Sequence, residues 1–448
     1  SHGFERLEAY ITGEEDGIPK SPQWASPLCG VSERDIRALA EVYGKTKPAA
    51  LIPGLSIQRT IGGEEAMRLA TALQVATGNV GIKGGSSGGN MWNRLPEPYC
   101  PTIELDTPTH PGPTVPVYRW PDAVLNGSKG GYPSDIRVLY NVGGNYLNQG
   151  SDIRKNIDAF STVDFSVTHD LFLTPTAAYC DVVLPVSSWL EREDIIFPGI
   201  NYLFYSKKAV DPPPGVLNDW DIFCKLAARL GILEQFSENQ TPQEWLSQFI
   251  DESEINDADA FRSSGIYEGP SQERVGLSEF VQNPEAFPLS TPSGKIEISS
   301  SDYEKTGFPA YPVARIYQVT DRLPLRCITP HAEYRINSSN WNIPWFREKE
   351  KQVVRMHPDD ARKRNISQGA EVLVTGERGS LVIRAAITED IMPGVVSIDQ
   401  GAWVALGPDL IDRAGSPNML TETEPTLPSE GSRTHSVRVE ISRYDGSP

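Results

Sequence analysis

The sequence lacks the patterns of several common protein classes. Its five cysteines are scattered along 448 residues without a C-x-x-C pair, so a cysteine-held zinc or iron–sulfur site within this chain is not expected. No run approaches the roughly 20 apolar residues that cross a bilayer. There is no Walker phosphate loop, no H-E-x-x-H metal motif and no nucleophilic triad.

Basic charge is also scarce. The 41 Lys and Arg residues face 59 Asp and Glu residues, which leaves a net charge of −18 that repels a phosphate backbone. We therefore expect no nucleic-acid partner. The opening residues SHGFERLEAY lack an initiator Met, a basic segment and an apolar segment, so they do not resemble a signal peptide and the chain is expected to start inside a longer protein.

The first 231 residues alternate short apolar runs with helical patterns, which predicts an α/β domain with a parallel, Rossmann-like sheet. The predicted helices cover 32–43, 64–77, about ten residues after Ser151-Asp152, and 219–230. The predicted strands cover 49–53, 136–142, 163–168 and, as a buried strand, 181–186. The segment 84–134 is rich in Gly, Pro and Asn and is expected to be a long ordered loop with a function.

Two further regions follow. Residues 232–320 are acidic and irregular and suit a connecting region, in which TPSGKIEI at 291–298 predicts a turn leading into a strand. Residues 321–448 are rich in β patterns and predict a closed barrel. Its predicted strands are 325–328, 395–398, 437–441 and a hairpin of 372–375 and 380–386, with a short helix that begins at 357–360.

Four places in the α/β region could bind a ligand or serve the fold alone. Gly143-Gly144-Asn145 follows a strand and precedes a helix, so its N–H groups could receive a diphosphate or form an ordinary turn. Asp170 ends the next strand and could bind guanine or ribose, or cap the turn that contains Thr174. Arg192 could bind a phosphate or lie on a solvated face, and Asp219 could bind a ligand or act as a helix N-cap.

In the barrel region, the polar segment 329–339 follows a strand and has neither helical nor strand periodicity. It could be a binding loop or a hydrated loop, and His331 alone is weak evidence for a metal. From the residues alone, the chain is expected to bind a nucleotide-type ligand between an α/β domain and a barrel, and the reaction stays open.

Several blocks resemble the molybdopterin oxidoreductases, the dimethyl sulfoxide reductase family. These are TKPAALIPGLSIQRTIGG, IRVLYNVGGNYLNQGSDI, VDFSVTHDLFLTPTAAYCDVVLPVSSWLERED, ITPHAEYRINSSNWN and VVRMHPDDARKRNISQGAEVLVTGERG. The resemblance implies a Rossmann-like domain followed by a C-terminal β-barrel of the double-psi type that binds a molybdopterin dinucleotide. EEDGIPKSPQWA, TPQEWL and PLSTPSGKIEI point, within the family, to the respiratory dimethyl sulfoxide reductase catalytic subunits.

The resemblance implies an enzyme that transfers an oxygen atom with two electrons, reducing an S-oxide or N-oxide such as dimethyl sulfoxide. Its cofactor would be molybdenum bis(molybdopterin guanine dinucleotide), and its partners an iron–sulfur electron-transfer subunit and a membrane anchor subunit. The complex would be membrane-associated, with twin-arginine export to the periplasm as its route. In the family, the residues that hold the [4Fe-4S] cluster and the molybdenum precede the matched blocks, so this chain alone is expected to be inactive.

The resemblance also assigns cofactor contacts. Gly54 and Gln58 would lie near the pterin, Asn145 would be the family's asparagine in the loop after the strand, and His169 and Asp170 would contact a guanosine. The loop 329–339 would wrap the diphosphate and pterin of the second cofactor. The other contacts that it implies are Thr174, Arg192, Asp219, Thr329, His331, Glu333, Arg335, Asn337, Ser338, Trp403, Asn418 and Thr434. The alternatives are a family member acting on an oxyanion, polysulfide or formate, a non-redox hydratase, or a stand-alone carrier of the pterin cofactor.

Overall fold

The computed structural model describes residues 1–85, 97–103, 114–271, 273–316 and 318–446. The helices of the α/β region are α1 (Phe4–Thr12), α2 (Pro22–Cys29), α3 (Glu33–Lys45), α4 (Gly63–Ala76), α5 (Trp120–Asn126), α6 (Tyr146–Gln149), α7 (Ile153–Thr162), α8 (Pro175–Ala178) and α9 (Asp219–Leu230). Those of the connecting region are α10 (Leu233–Ser237), α11 (Pro242–Asp251), α12 (Ala258–Ser264), α13 (Ser278–Gln282) and α14 (Ser301–Glu304).

A three-stranded parallel sheet confirms the α/β prediction. Its strands are β1 (Val138–Val142), β2 (Phe165–Asp170) and β3 (Val182–Pro185), in the order β1-β2-β3. Val142 pairs with His169, and Asp170 pairs with Pro185. All three strands therefore end at one edge, where α6 and α8 begin. β3 is an edge strand whose Val182 and Val183 are partly exposed, so the prediction that it is a buried strand was wrong.

The connection between β1 and β2 contains α7, which begins where the sequence predicted. Asp152 is its N-cap, and the Asp152 side chain accepts a hydrogen bond from the Lys155 N–H. This bond satisfies one of the backbone donors that the first turn of a helix leaves free. The buried face of α7 packs on α5, where Phe160 meets the Trp120 ring edge-on.

Three predicted local structures differ from those observed. Residues 49–53 are not a strand, although they are apolar. TPSGKIEI forms the predicted turn, in which the Gly294 N–H donates to the Thr291 carbonyl at 2.9 Å, but in place of the predicted strand it has only an isolated bridge between Glu297 and His2. The predicted loop 84–134 contains α5, while 86–96 and 104–113 lie outside the described residues. A short apolar run becomes a strand only where another strand pairs with it, and residues 49–53 pair with none of the described strands.

A second sheet joins the α/β region to the connecting region. It consists of β4 (Asp194–Ile196), β5 (Tyr202–Ser206) and β6 (Ile266–Glu268) in antiparallel pairs. β6 comes from the connecting region, so this sheet crosses the predicted boundary at residue 231. Leu203 and Tyr205 of β5 pack on the buried side of α11, around Leu246 and Ile250.

The C-terminal region is a closed barrel of six strands. They are β7 (Leu325–Ile328), β8 (Val353–Met356), β9 (Glu371–Thr375), β10 (Ser380–Ile387), β11 (Val395–Ile398) and β12 (Val437–Arg443), and two helices accompany them, α15 (Pro344–Lys349) and α16 (Pro358–Lys363). The order is β10-β8-β11-β7-β12-β9. β9 and β10 form the predicted hairpin. Alternate residues such as Val354 and Met356 point inward and are fully buried.

The barrel is docked on α6. The Asn148 side chain donates a hydrogen bond to the Ala402 carbonyl, and the Asn418 side chain donates one to the Asn148 carbonyl at 2.8 Å. The ammonium of Lys155 bonds the Thr423 hydroxyl at 2.8 Å. These contacts bring the carboxyl edge of the parallel sheet next to the loops at one end of the barrel.

Candidate functional site

The turn after β1 offers open space beside its backbone. Gly143 has a φ of +65°, and a Cβ placed on it would meet no atom within 4 Å. Any other residue would be strained at this φ. The Gly144 carbonyl is held by the Asn141 amide at 2.7 Å. The predicted G-G-N turn is therefore shaped so that another molecule can approach the main chain closely.

Asn145 carries an unpaired donor in this turn. Its side chain is buried, and its Oδ1 accepts a hydrogen bond from the Thr176 hydroxyl at 3.0 Å. Its Nδ2 has no partner within the described part of the chain. Leaving a buried amide donor unpaired costs about 1–3 kcal/mol, so this N–H is available for an acceptor that binds at the turn.

Asp170 closes the turn that follows β2. Its Oδ1 accepts from the Leu171 N–H at 2.8 Å, and its Oδ2 accepts from the Thr174 hydroxyl at 2.9 Å. Thr174 is in turn the N-cap of α8. The turn-capping alternative therefore describes both residues. A ligand contact by Asp170 or Thr174 stays a prediction.

His169 links β2 to α9. It is fully buried, with Nδ1 2.8 Å from Asp219 Oδ1 and Nε2 2.8 Å from the Tyr140 hydroxyl. An ionised carboxylate only accepts, so Nδ1 carries the proton and Nε2 accepts from Tyr140. Burial, and secondarily the charge of Asp219, raises the pKa of Tyr140. His169 thus orients Asp219, and its predicted contact with guanosine stays a prediction.

Asp219 and Arg192 line the same cleft, which has a volume of about 820 Å³. Asn218, not Asp219, is the N-cap of α9, so the N-cap alternative for Asp219 was wrong. The Asp219 side chain is 39% exposed, and Oδ2 has no partner among the described residues. Arg192 donates from Nη1 to the Ser187 carbonyl at 3.0 Å. Glu191, Glu193, Asp194, Asp221 and Lys208 also line this cleft, and Arg192 Nε lies 3.5 Å from Asp194 Oδ2. The cleft therefore combines five carboxylates with two cations.

In the barrel, Gln400 connects the residues of the 329–339 loop. Its Nε2 lies 2.9 Å from His331 Nδ1 and donates to Asn337 Oδ1 at 3.0 Å. Its backbone N–H donates to the Pro330 carbonyl. Asn337 has a φ of +51°, a conformation that asparagine tolerates better than most residues. Gln400 therefore fixes the shape of the predicted binding loop.

The side chain of Arg335, a member of this loop, is fully buried. Its Nη2 donates to Gln352 Oε1 at 2.8 Å and its Nη1 is 3.5 Å from Glu350 Oε2, while Nε and Nη1 form no hydrogen bond with any described residue. Burial lowers the pKa of the guanidinium. The Trp341 ring lies 5.0 Å from the guanidinium carbon. Arg335 is thus a buried cation whose donors are only partly used.

The neighbouring loop residues are held by their backbones. The Glu333 N–H donates to Glu350 Oε1 at 2.7 Å, and Trp403 Nε1 donates to the Ser338 carbonyl at 2.7 Å. His331 and Glu333 line a second cleft of about 410 Å³ together with Glu350, Lys351, Arg355 and Asp399. The cleft is formed mainly by charged side chains, as an ionic ligand requires.

The residues just before β12 contact the first residue of the 329–339 loop. Thr329 donates from Oγ1 to the Thr434 carbonyl at 3.2 Å and from its backbone to His435 Nδ1 at 3.1 Å. The His435 backbone N–H donates to the Arg59 carbonyl. Gln58 precedes Arg59 and is exposed, and Gly54 lies in the preceding turn with a φ of +70°. The pterin contacts assigned to these two residues stay predictions.

The predicted residues therefore form three groups. The first is at the sheet edge (Gly143, Gly144, Asn145, Asp170 and Thr174), the second is the Arg192–Asp219 cleft, and the third is the barrel loop with Trp403 and Thr434. His169 connects the first group to the second, and Asn418 connects the barrel to the first through Asn148. No hydrogen bond joins the Asp170 turn directly to the His331 loop among the described residues.

Sequence reasoning missed several participants. Gln400 and Asn148 hold the loops, Tyr140 holds His169, and Ser187 and Trp245 line the cleft. Gln400 and Ser187 follow the ends of β11 and β3, where side chains of parallel strands often meet ligands, so position could have indicated them. Trp245 had no such signal, because its helix lies in the connecting region.

The unpaired buried donors of Asn145 and Arg335 and the open space at Gly143 fit a ligand with a diphosphate. The acceptor of Asp219 fits a base with N–H groups. Within the described ranges, no group of three or more His, Cys, Asp or Glu side chains could hold a metal ion. Every described helix is too short or too polar to span a bilayer.

Fold and site together define an α/β protein with a closed barrel, whose polar loops meet at the sheet edge. Family models assign the same two parts: residues 35–229 match the molybdopterin oxidoreductase domain, and residues 325–437 match the molydopterin dinucleotide binding domain. The chain belongs to the molybdopterin oxidoreductase family. This confirms the family predicted from the sequence.

Known relatives support the family assignment. The chain is 32% identical to dimethyl sulfoxide reductase DmsA of Haemophilus influenzae, over 97% of this chain and 59% of the relative. It is 30% identical to the trimethylamine-N-oxide reductase of the same organism, over 99% and 61%. It thus spans about three-fifths of these relatives. The fold resembles acetylene hydratase from Pelobacter acetylenicus, with a TM-score of 0.73 at 18% identity, over 99% of this chain and 66% of the hydratase.

Proposed function

We propose that this chain binds a molybdenum cofactor of the bis(molybdopterin guanine dinucleotide) type and serves the two-electron reduction of an S-oxide or N-oxide. The observation that carries the proposal is the docking of the barrel on α6, where Asn148 bonds Ala402 and Asn418 bonds Asn148. It places the polar barrel loop beside the G-G-N turn. The G-G-N turn and the barrel loop would each supply one set of hydrogen-bond donors, and two bound dinucleotides need two sets.

Each part of the site has a separate task. The N–H groups of the 143–145 turn would receive one diphosphate, and Arg335 with the 329–339 loop the other. The Asp219 carboxylate, oriented by His169, would accept hydrogen bonds from the guanine N1–H and N2 amine. When bound, the molybdenum cofactor supplies the oxygen-atom transfer and the redox change. The chain binds and orients it, and tunes it through neighbouring hydrogen bonds.

The relatives support the substrate class. One is a dimethyl sulfoxide reductase and the other a trimethylamine-N-oxide reductase, so the reaction would take two electrons and two protons and release the sulfide or amine with one water. An iron–sulfur subunit and a membrane anchor subunit, as the sequence resemblance implies, would supply the electrons at a membrane. The [4Fe-4S] cluster and the molybdenum ligand would lie outside the residues matched here.

The cofactor is tested by its nucleotide. The chain is isolated from a host that makes molybdopterin dinucleotides, and mild acid hydrolysis of the protein releases the nucleotide for chromatography. We expect guanosine monophosphate at two equivalents per molybdenum. Cytidine monophosphate, or a pterin without a nucleotide, would contradict the guanine assignment.

The Asp219→Asn substitution sharpens this test. An amide cannot accept two hydrogen bonds from guanine as a carboxylate does, so the variant should retain less guanosine monophosphate. Glu279→Gln, a change on the distant helix α13, is the matched control for the loss of one charge. Equal retention by both variants would remove Asp219 from the proposed site.

The substrate is tested by dye oxidation. The intact enzyme that contains this chain, loaded with the cofactor, is mixed with a reduced viologen, and dimethyl sulfoxide, trimethylamine N-oxide or nitrate is added. We expect the two organic oxides to reoxidise the dye faster than nitrate does. A preference for nitrate would favour the oxyanion alternative.

A further inference from the structure

The cleft beside Asp219 has a wall that lies outside the residues matched by the oxidoreductase domain. That wall is α11 of the connecting region, which contributes Thr241, Trp245 and Leu246. The opposite wall includes Ser187 and Arg192, which come from the segment after β3. The connecting region therefore helps to build the cleft in addition to joining the two flanking regions.

Two donors of this cleft have no partner. The Ser187 hydroxyl and the Trp245 indole N–H are both buried, and neither forms a hydrogen bond with the residues that the structure describes. Both belong to residues that line the cleft. Buried indole and hydroxyl groups normally find a partner, and exceptions in native structures call for an explanation. An acceptor on a bound ligand would satisfy them.

Both donors are fixed in place by their surroundings. The Ser187 N–H donates to the Leu217 carbonyl at 2.9 Å, and the Ser187 carbonyl accepts from Arg192 Nη1 at 3.0 Å. The Trp245 ring packs edge-on against Trp220, with 6.4 Å between centroids, and lies 5.6 Å from Phe249. A donor held in this way loses little conformational freedom when a ligand binds.

The chemistry of the cleft selects among bases. Guanine presents donors at N1 and N2 and acceptors at O6 and N7, so it suits a cleft that combines the Asp219 carboxylate with N–H and O–H donors. Adenine presents a donor at N6, where guanine has its O6 acceptor, and lacks the N1–H and N2 donors. A carboxylate together with fixed donors therefore discriminates between the two purines.

We propose that Trp245 and Ser187 are specificity-determining residues of this cleft, donating hydrogen bonds to the acceptor atoms of a guanine nucleotide whose N–H groups bind Asp219. The inference rests on the proposed function, because it assumes that the cleft receives the nucleotide end of the cofactor. The inference adds a residue of the connecting region, Trp245, to that site.

The test measures binding of GDP and ADP to the full chain by calorimetry. Trp245→Phe keeps the ring and removes the N–H, and Ser187→Ala removes the hydroxyl. Each should weaken GDP binding about three- to tenfold, the effect of one lost neutral hydrogen bond, and should change ADP binding less. Trp345→Phe, an exposed tryptophan of α15 on the barrel, is the control and should bind both nucleotides as the unsubstituted chain does.

The outcomes separate the inference from the proposed function. If the unsubstituted chain does not bind GDP, the nucleotide assignment of the cleft fails and the inference fails with it. If GDP binds but Trp245→Phe and Ser187→Ala leave the ratio of GDP to ADP affinity unchanged, the inference alone is overturned. An equal loss for both nucleotides would indicate a structural role and would also overturn it.

Discussion

The two scaffolds that carry the site differ in how they bury their apolar residues. In the barrel, inward-facing residues such as Leu381 and Val396 are fully buried. In the α/β region, Val142 at the end of β1 is 46% exposed, and α3 has no buried residue, with Leu39 70% exposed. The barrel closes its own hydrogen-bond ladder, whereas no further described strand pairs with either edge of the three-stranded sheet.

This difference shows what each half of the site depends on. A closed barrel has no free edge and holds its loops through its own core. Parallel sheets are normally covered on both faces, so the G-G-N turn and Asp170 rely on what packs beside them. Here that support includes α7, the Asp219–His169–Tyr140 chain and the docked barrel. The sheet side of the site should therefore be the more easily disturbed.

The largest expected effect contrasts the two cores. Leu381→Ala in β10 should lower the free energy of unfolding by about 2–5 kcal/mol, because it leaves a cavity in a closed core. Val142→Ala, at a half-exposed position of β1, should cost under about 1 kcal/mol. Urea denaturation followed by tryptophan fluorescence measures both. Similar losses in the two variants would contradict the contrast between the scaffolds.

A smaller effect is expected at the contact between α6 and the barrel. Asn148→Ala removes the hydrogen bond to the buried Ala402 carbonyl, which should cost about 1–3 kcal/mol. Amide hydrogen exchange should increase in residues 399–403 and in α6 before it increases in the barrel strands. The control is Asn126→Ala, because the Asn126 side chain bonds only its own helix. Unchanged exchange in α6 and in residues 399–403 would show that other contacts hold the barrel in place.

The smallest effect is a dependence on pH. Burial, and then the charges of Arg59, Arg326 and the neighbouring His331, lower the pKa of His435 below its ordinary value of 6.5. The folded state therefore favours neutral His435, whose Nδ1 accepts from the Thr329 N–H. As pH falls below about 6.5 the unfolded chain takes up this proton first, so stability is lost with acid and is unaffected by this group above that pH.

His435→Asn tests this prediction, since the amide oxygen can accept the same N–H without a basic ring. Denaturation midpoints are compared at pH 7.5 and pH 5.0, with His2→Asn as the control at an exposed position. We expect the difference between the two pH values to be smaller in His435→Asn than in the control. An equal difference would exclude His435 as a source of acid sensitivity.

The sequence predicted the elements whose signals are local. The helix after Asp152, the β9–β10 hairpin, and the turns at Gly143 and Asp170 each depend on a cap, a glycine or an alternation of side chains within a few residues. It failed at residues 49–53 and at the strand expected after the turn of TPSGKIEI, because neither segment pairs with a described strand. It also missed β6, whose partner β5 lies about 60 residues earlier.

The sequence by itself determined the order of the elements and the barrel pattern, because these follow from spacing along the chain. It also indicated Asn145, Asp170 and the 329–339 loop as candidate polar groups, whose contacts with a dinucleotide stay predictions. Only the tertiary structure decided that His169 hydrogen-bonds Asp219, that Gln400 contacts His331 in the barrel loop, and that Trp245 lines the cleft. His169 and Asp219 are 50 positions apart, Gln400 and His331 are 69 apart, and Trp245 and Asp219 are 26 apart. Which donor meets which acceptor across such distances depends on packing, and packing has no local pattern.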